Sequence, residues 1–255
     1  MSKYWKVQAA TGAPTVCELL IYGDIANEAF WMGEVTPKDI DKALKDFGAM
    51  DELKVYINSG GGSVFAGMAI HAIIARCGAK KKTAYVDGLA GSIASVIPLA
   101  CDSIEIAQGG MMFIHNASAV VAGTSEDMKK AAALLETISQ TILDMYVAKT
   151  GKDAEEIKKM MDAETWMTAN EAVEMGFADA IQGSDLQVAA HVRDGKLVTN
   201  GVATCIKDFK NMPKFENVDG AVNPEPVADI LPDLTQQRKD FETIKNKIGG
   251  KKTCF

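Results

Sequence analysis

Apolar residues follow two alternating rhythms along the first two thirds of the chain. Glu18–Tyr22, Leu53–Asn58, Thr83–Asp87, Ser103–Ala107 and Met111–Ile114 are short apolar runs. Their length and their bounding turn residues predict strands. Between them lie stretches with helical character. Thr36-Pro37-Lys38-Asp39 opens the first: Thr36 can cap, Pro37 suits the first helical position, and Asp39 stands where a capping-box acid would. Further helices are expected over Phe65–Cys77, Gly91–Ala100, Ser125–Lys149, Asp153–Met161 and Thr168–Met175, with a last strand at Phe177–Ile181. In the long helix Leu134, Ile138, Ile142 and Tyr146 recur every four residues and make one apolar stripe, and Gly151 and Gly176 stand as C-caps. Strand–helix alternation of this kind predicts an α/β fold with a largely parallel sheet.

After about Gln182 the rhythm fades. Four of the seven prolines (Pro213, Pro224, Pro226, Pro232) fall in the last 43 residues. The pattern predicts a body, residues 1–183, and a Pro-containing linker or tail, residues 184–255. The tail is expected to be mostly irregular, with one late helix on Leu234, Phe241, Ile244 and Ile248 as its only regular candidate.

Composition narrows the function classes. A chain of 255 residues can bury a sizeable core, and 47% hydrophobic residues is ordinary for a globular protein. The formal net charge of −7 argues against nucleic acid as a partner. Five cysteines (Cys17, Cys77, Cys101, Cys205, Cys254), an odd number without C-x-x-C spacing, argue against a zinc site or a disulfide framework. No apolar leader and no span-length apolar run is present, so a soluble, cytoplasmic protein without membrane, metal or cofactor is expected.

Three local patterns carry candidate chemistry. Ser59-Gly60-Gly61-Gly62-Ser63 follows a strand and can turn sharply while presenting bare N–H groups to an anion or a developing oxyanion; it reads equally as a tight turn. Gly88-Leu89-Ala90-Gly91-Ser92-Ile93-Ala94-Ser95 puts Ser92 at the expected start of an apolar helix, where the helix dipole and free N–H groups favour negative charge. Taken alone, a serine there reads as a helix cap, and Ser95 as a small packed residue. His115 ends an apolar strand, at the sheet rim where sites form, whereas His71 falls inside a helix and His191 where the pattern fades. A histidine so placed can serve as general base, and it needs an orienting acid. Asp162 and Glu164, in Met161-Asp162-Ala163-Glu164-Thr165-Trp166, are both candidates, and each reads alternatively as a surface charge or cap.

Together these segments resemble one family. Tyr56-Ile57-Asn58-Ser59-Gly60-Gly61-Gly62 with Ala66-Gly67-Met68, the stretch around Ser92, Met112–His115 and Trp166–Asp179 are similar, in order, to motifs of the Clp protease proteolytic subunits. Gly60 stands where that family has proline. The resemblance covers about residues 18–183 and is nearest to the Clp-like head-maturation proteases of tailed phages and prophages.

It implies a crotonase-like fold of stacked β-β-α units with a protruding handle helix at 125–149, which would join copies into a homo-oligomer. It further implies Ser92 as nucleophile, His115 as base, and Glu164 by register as the acid, with Asp162 as the alternative. Gly62 and Ile93 would be the oxyanion donors, and Gly61, Ser63, Val64, Asn116, Ala117 and Ser118 the peptide-binding residues. The expected activity is ATP-independent serine endopeptidase action on phage capsid, scaffold or portal precursors in a bacterial host cell. A general protease subunit working with an unfoldase ATPase is one alternative. A non-catalytic capsid-assembly component is another.

Overall fold

The computed structural model describes residues 5–29 and 34–183, together with three short strands at 190–193, 196–199 and 202–205. The expected strand runs become one twisted sheet. Strands β1 (Trp5–Ala10) and β2 (Ala13–Tyr22) form an antiparallel hairpin. It turns at Gly12, whose φ of +75° is left-handed. Next come β3 (Glu52–Ser59), β4 (Lys81–Gly91) and β5 (Ser103–Ile106), each parallel to its neighbour in the order β2-β3-β4-β5. The mixed α/β architecture is the expected one. The β1 hairpin strand was missed, because Trp5–Ala10 has no strict alternation of apolar and polar positions.

One face of the sheet carries the core. Leu19 and Ile21 on β2, Leu53, Val55 and Ile57 on β3, Ala84 and Val86 on β4, and Ile104 and Ile106 on β5 are all fully buried. Helices α1 (Pro37–Phe47) and α2 (Val64–Arg76) provide Ile40, Ile70 and Ile74 to this core. Thr36 Oγ1 accepts the Asp39 N–H at 3.2 Å, as the Thr-Pro-Lys-Asp motif predicts.

The longest helix among the described residues, α3 (Ser125–Thr150), ends at Gly151, whose φ of +66° is left-handed, as its glycine predicts. It is followed by α4 (Ala154–Asp162) and α5 (Ala169–Glu174). Its apolar stripe is divided: Ile142 and Tyr146 are buried, whereas Leu134 is 54% exposed.

Two details arrange the strand ends. The β3–β4 register slips between Ile57↔Val86 and Ser59↔Ala90. The end of β4 therefore leaves β5 and pairs in parallel with β6 (Met111–Ile114), through Leu89↔Met111, Ala90↔Met112 and Gly91↔Phe113. On its other side β6 pairs antiparallel with β7 (Thr165–Thr168), Phe113 opposite Trp166 and Ile114 opposite Thr165. The last expected strand is reduced to β8 (Ala180–Ile181), which pairs with β5.

One expectation is corrected. Gly91–Ala100 is not an α-helix but two successive 3-10 turns, Ser92–Ser95 and Ile97–Ala100. Pro98 lacks the N–H that an α-helix would need there, and it disfavours helical backbone at Ile97. Ser92 therefore has no α-helix dipole behind it, and any anion stabilisation near Ser92 rests on individual N–H groups.

Beyond residue 183 the three strands β9 (Ala190–Arg193), β10 (Lys196–Thr199) and β11 (Val202–Cys205) form a small antiparallel sheet that the sequence reading did not foresee. The late helix expected around Leu234–Ile248 lies outside the described residues. Among the described residues, no helix is long and apolar enough to cross a membrane. Nor does any group of three or more His, Cys, Asp or Glu side chains among them form a metal cluster.

Candidate active site

Because Gly91 pairs with Phe113 in parallel register, the next residues of β4 and β6 emerge side by side at the same sheet rim. Ser92 begins the first 3-10 turn and His115 follows β6. Ser92 Oγ lies 2.7 Å from His115 Nε2. Ser92 has φ +52°, a left-handed conformation that costs a non-glycine residue about 1–3 kcal/mol and persists only where the surroundings impose it. The hydroxyl is thus held on a sharp strand-to-turn corner against the imidazole.

The antiparallel β6–β7 register, continued by one residue past Ile114↔Thr165, sets Glu164 across from His115. Glu164 also has φ +52°. It follows α4 in the left-handed position where glycine is usual, its N–H donating to the Met161 carbonyl at 3.1 Å. Burial pushes the His115 pKa below the ordinary histidine value, and the negative charge of Glu164 opposes that shift. Asp162 is engaged elsewhere. Its carboxylate accepts from Lys158 Nζ at 2.7 Å and Asn116 Nδ2 at 2.8 Å, and these bonds hold its pKa below the usual carboxylate range. The two acids are therefore differently placed: Glu164 stands across from His115 in the extended β6–β7 register, and Asp162 belongs to an exposed bridge between α4 and Asn116.

His115 is fixed by an aromatic stack. Its ring lies on Phe113 with centroids 5.0 Å apart, and Phe113 lies on Trp166 at 4.2 Å. Residues two apart on a strand share a face, so the Phe113–His115 pairing was readable from sequence. The Trp166 partner needed the β6–β7 register.

The glycine turn presses on the Ser92 corner. A Cβ on Gly61 (φ +103°) would come within 2.7 Å of Ser92 Cβ and 3.2 Å of the Ile93 nitrogen. Its N–H groups divide clearly. Gly61 N–H donates to Ser59 Oγ at 3.1 Å, and Ser63 N–H to the Ile25 carbonyl at 2.8 Å. Ile25 N–H in turn donates to the Gly61 carbonyl at 2.9 Å, so the Gly62 N–H faces away from Ile25. A side chain at Gly62 (φ +139°) would put its Cβ 2.2 Å from the Ile25 carbonyl oxygen. Ile93 N–H belongs to the first turn after Ser92, where no preceding turn supplies an acceptor. The arrangement sets a hydroxyl with an adjacent imidazole against a glycine turn, a combination that suits nucleophilic chemistry.

Of the residues expected to bind peptide, Ser63 caps α2 and Val64 is its first residue. Asn116 donates to Asp162. The Ala117 N–H donates to Ser139 Oγ on α3 at 3.0 Å, so that group is already paired, a constraint the sequence could not show.

The Clp protease family model matches residues 42–185. ATP-dependent Clp protease proteolytic subunit 1 of Chlamydia trachomatis serovar D is 33% identical over 162 residues, which cover 60% of this chain and 84% of the relative. Subunit 3 of Rhodococcus jostii is 33% identical over 145 residues, covering 55% of this chain and 70% of the relative. Subunit 2 of Thermobifida fusca is 32% identical over 134 residues, 51% of this chain and 64% of the relative.

Proposed function

The chain belongs to the Clp protease family, and from that premise we propose that it is a serine endopeptidase whose nucleophile is Ser92, whose base is His115 and whose orienting acid is Glu164. The observation that carries the reading is the 2.7 Å contact between Ser92 Oγ and His115 Nε2, made by a serine held at left-handed φ. Ser92 Oγ attacks the scissile carbonyl as its proton passes to His115, and Glu164 stabilises the imidazolium. The N–H groups of Gly62 and Ile93 take the oxyanion. Collapse of the intermediate breaks the C–N bond, and His115 returns the proton to the departing amine. A water, deprotonated by His115, then attacks the acyl ester, and His115 gives that proton to Ser92 Oγ as the acyl bond breaks.

The peptide runs extended between Gly61–Val64 and Asn116–Ser118, paired through its backbone. Because Ala117 N–H is held by Ser139, pairing on that side falls to its neighbours. Family members form homo-oligomers, and here the half of α3 bearing the exposed Met128 and Leu134 is the joining surface.

The substrates are capsid, scaffold or portal precursors of a tailed phage, cleaved without an ATPase; this part rests on the motif resemblance at Ile57–Gly67, Asp87–Ser95 and Asp162–Asp179. A second reading, a subunit that depends on an unfoldase ATPase, is favoured by the names of its relatives, which are ATP-dependent proteolytic subunits. Labelling with a fluorophosphonate probe tests the core claim: wild type is modified at Ser92, and Ser92→Ala and His115→Ala are not. Modification at another serine removes it. Cleavage of a purified capsid precursor in nucleotide-free buffer, read by mass spectrometry, separates the two substrate readings.

A further inference from the structure

Ser92 contributes more than its hydroxyl. Its carbonyl and the Ile93 N–H belong to one peptide unit, which is planar and trans, so the two groups point in opposite directions. Whatever fixes the Ser92 carbonyl also aims the Ile93 N–H. Ser95 Oγ lies 2.5 Å from the Ser92 carbonyl oxygen and 2.7 Å from the Tyr146 hydroxyl. A serine hydroxyl has one proton to give, and a carbonyl can only accept. The Ser95 proton therefore goes to Ser92, and Tyr146 donates to Ser95.

Ser95 is fully buried and Tyr146 is 1% exposed, so water does not compete for either bond. Burial also keeps the Tyr146 phenol protonated, with its pKa pushed well above the ordinary tyrosine value. The Tyr146 ring is set edge-on against Phe177, with centroids 5.3 Å apart. The donor thus comes from the packed half of α3.

We infer that Tyr146 and Ser95 form a buried relay that pins the Ser92 carbonyl inward and so orients the Ile93 N–H toward the oxyanion. Both are positioning residues: neither touches substrate, and they act through one peptide plane. Without the Ser95 hydroxyl the Ser92 carbonyl keeps only the backbone bond of its 3-10 turn, so the peptide can tilt and the N–H loses its aim while Ser92 Oγ and His115 remain in place. This rests on the reading of Ser92 as nucleophile and Ile93 as oxyanion donor.

The test uses full-length Tyr146→Phe, Ser95→Ala and the double variant, with a peptide substrate and a peptide aldehyde that forms a tetrahedral adduct. Tyr146→Phe keeps the ring and its packing. Expected are a fall in kcat of about 10- to 100-fold, a parallel loss of aldehyde affinity, and a KM within about twofold of wild type. The pH at half-maximal kcat should stay in place, since His115 and Glu164 are untouched. The double variant should be no worse than the weaker single, because the relay acts as one unit. A kcat within twofold of wild type in both single variants overturns the inference, as do multiplicative losses in the double variant or losses that track the folded fraction in a melting curve. Activity surviving in Ser92→Ala would instead sink the parent reading, so the two failures are distinguishable.

Discussion

Ser92 and Glu164 are the non-glycine residues with positive φ among the described residues, and they flank His115 from two different strands. Strain of this kind persists where packing over-determines it, and it collects at working sites. The two acids of the Asp162–Glu164 segment can be told apart at this scale. Glu164→Gln keeps shape but removes the charge that supports an imidazolium, and it should lower kcat by about 100-fold or more. Asp162→Asn loses an exposed bridge and should leave kcat near wild type. The pH profile gives an independent check. In the proposed mechanism neutral His115 is the working form, so kcat should rise with pH through its pKa, which burial places below the ordinary value. Glu164 raises that pKa, so Glu164→Gln should move the ascending limb to still lower pH; an upward move would exclude Glu164 as its partner. Gly62→Ala is expected to be inactive and to melt earlier, by strain of about 1–3 kcal/mol, because its Cβ meets the Ile25 carbonyl.

At the scale of elements, α3 has two characters. Its second half buries Ile142, Leu143 and Tyr146, and sends Tyr146 to the Ser92 turn and Ser139 to Ala117. Its first half shows Met128 and Leu134 to solvent. Substitution should therefore separate assembly from folding along one helix. Leu134→Asp is expected to shift the sedimentation profile toward smaller species with the melting temperature preserved, whereas Ile142→Asp places a charge in the core and should abolish folding. Unchanged sedimentation of Leu134→Asp would remove α3 as the joining surface. The 3-10 turns after Ser92 show the limit of periodicity at this scale. Apolar spacing suggested a helix, but the Pro98 ring and the Ser95 hydroxyl bond to the Ser92 carbonyl support a tighter turn.

Across the whole molecule, the family match ends at residue 185 and the main sheet ends with β8 at Ile181. The core and all three proposed triad residues precede that point. A chain ending at Gly183 is therefore expected to unfold cooperatively and to keep fluorophosphonate labelling of Ser92. Loss of cooperative unfolding would show that residues beyond 183 belong to the peptidase body.

By itself the sequence determined the strand–helix alternation, the caps at Thr36 and Gly151, and the order of glycine turn, serine, histidine and acid. These depend on local periodicity, backbone preference and the identity of neighbouring residues, all of which are written within a few positions. It left Glu164 and Asp162 in competition, and it read Ser92 as the start of a dipolar helix. Only the tertiary structure set the β4 register slip that brings Ser92 beside His115, the β6–β7 pairing that faces Glu164 toward the imidazole, and the approach of Tyr146 to Ser95. Each of these joins residues far apart in the chain, and such pairings are settled by how the whole sheet closes over its core.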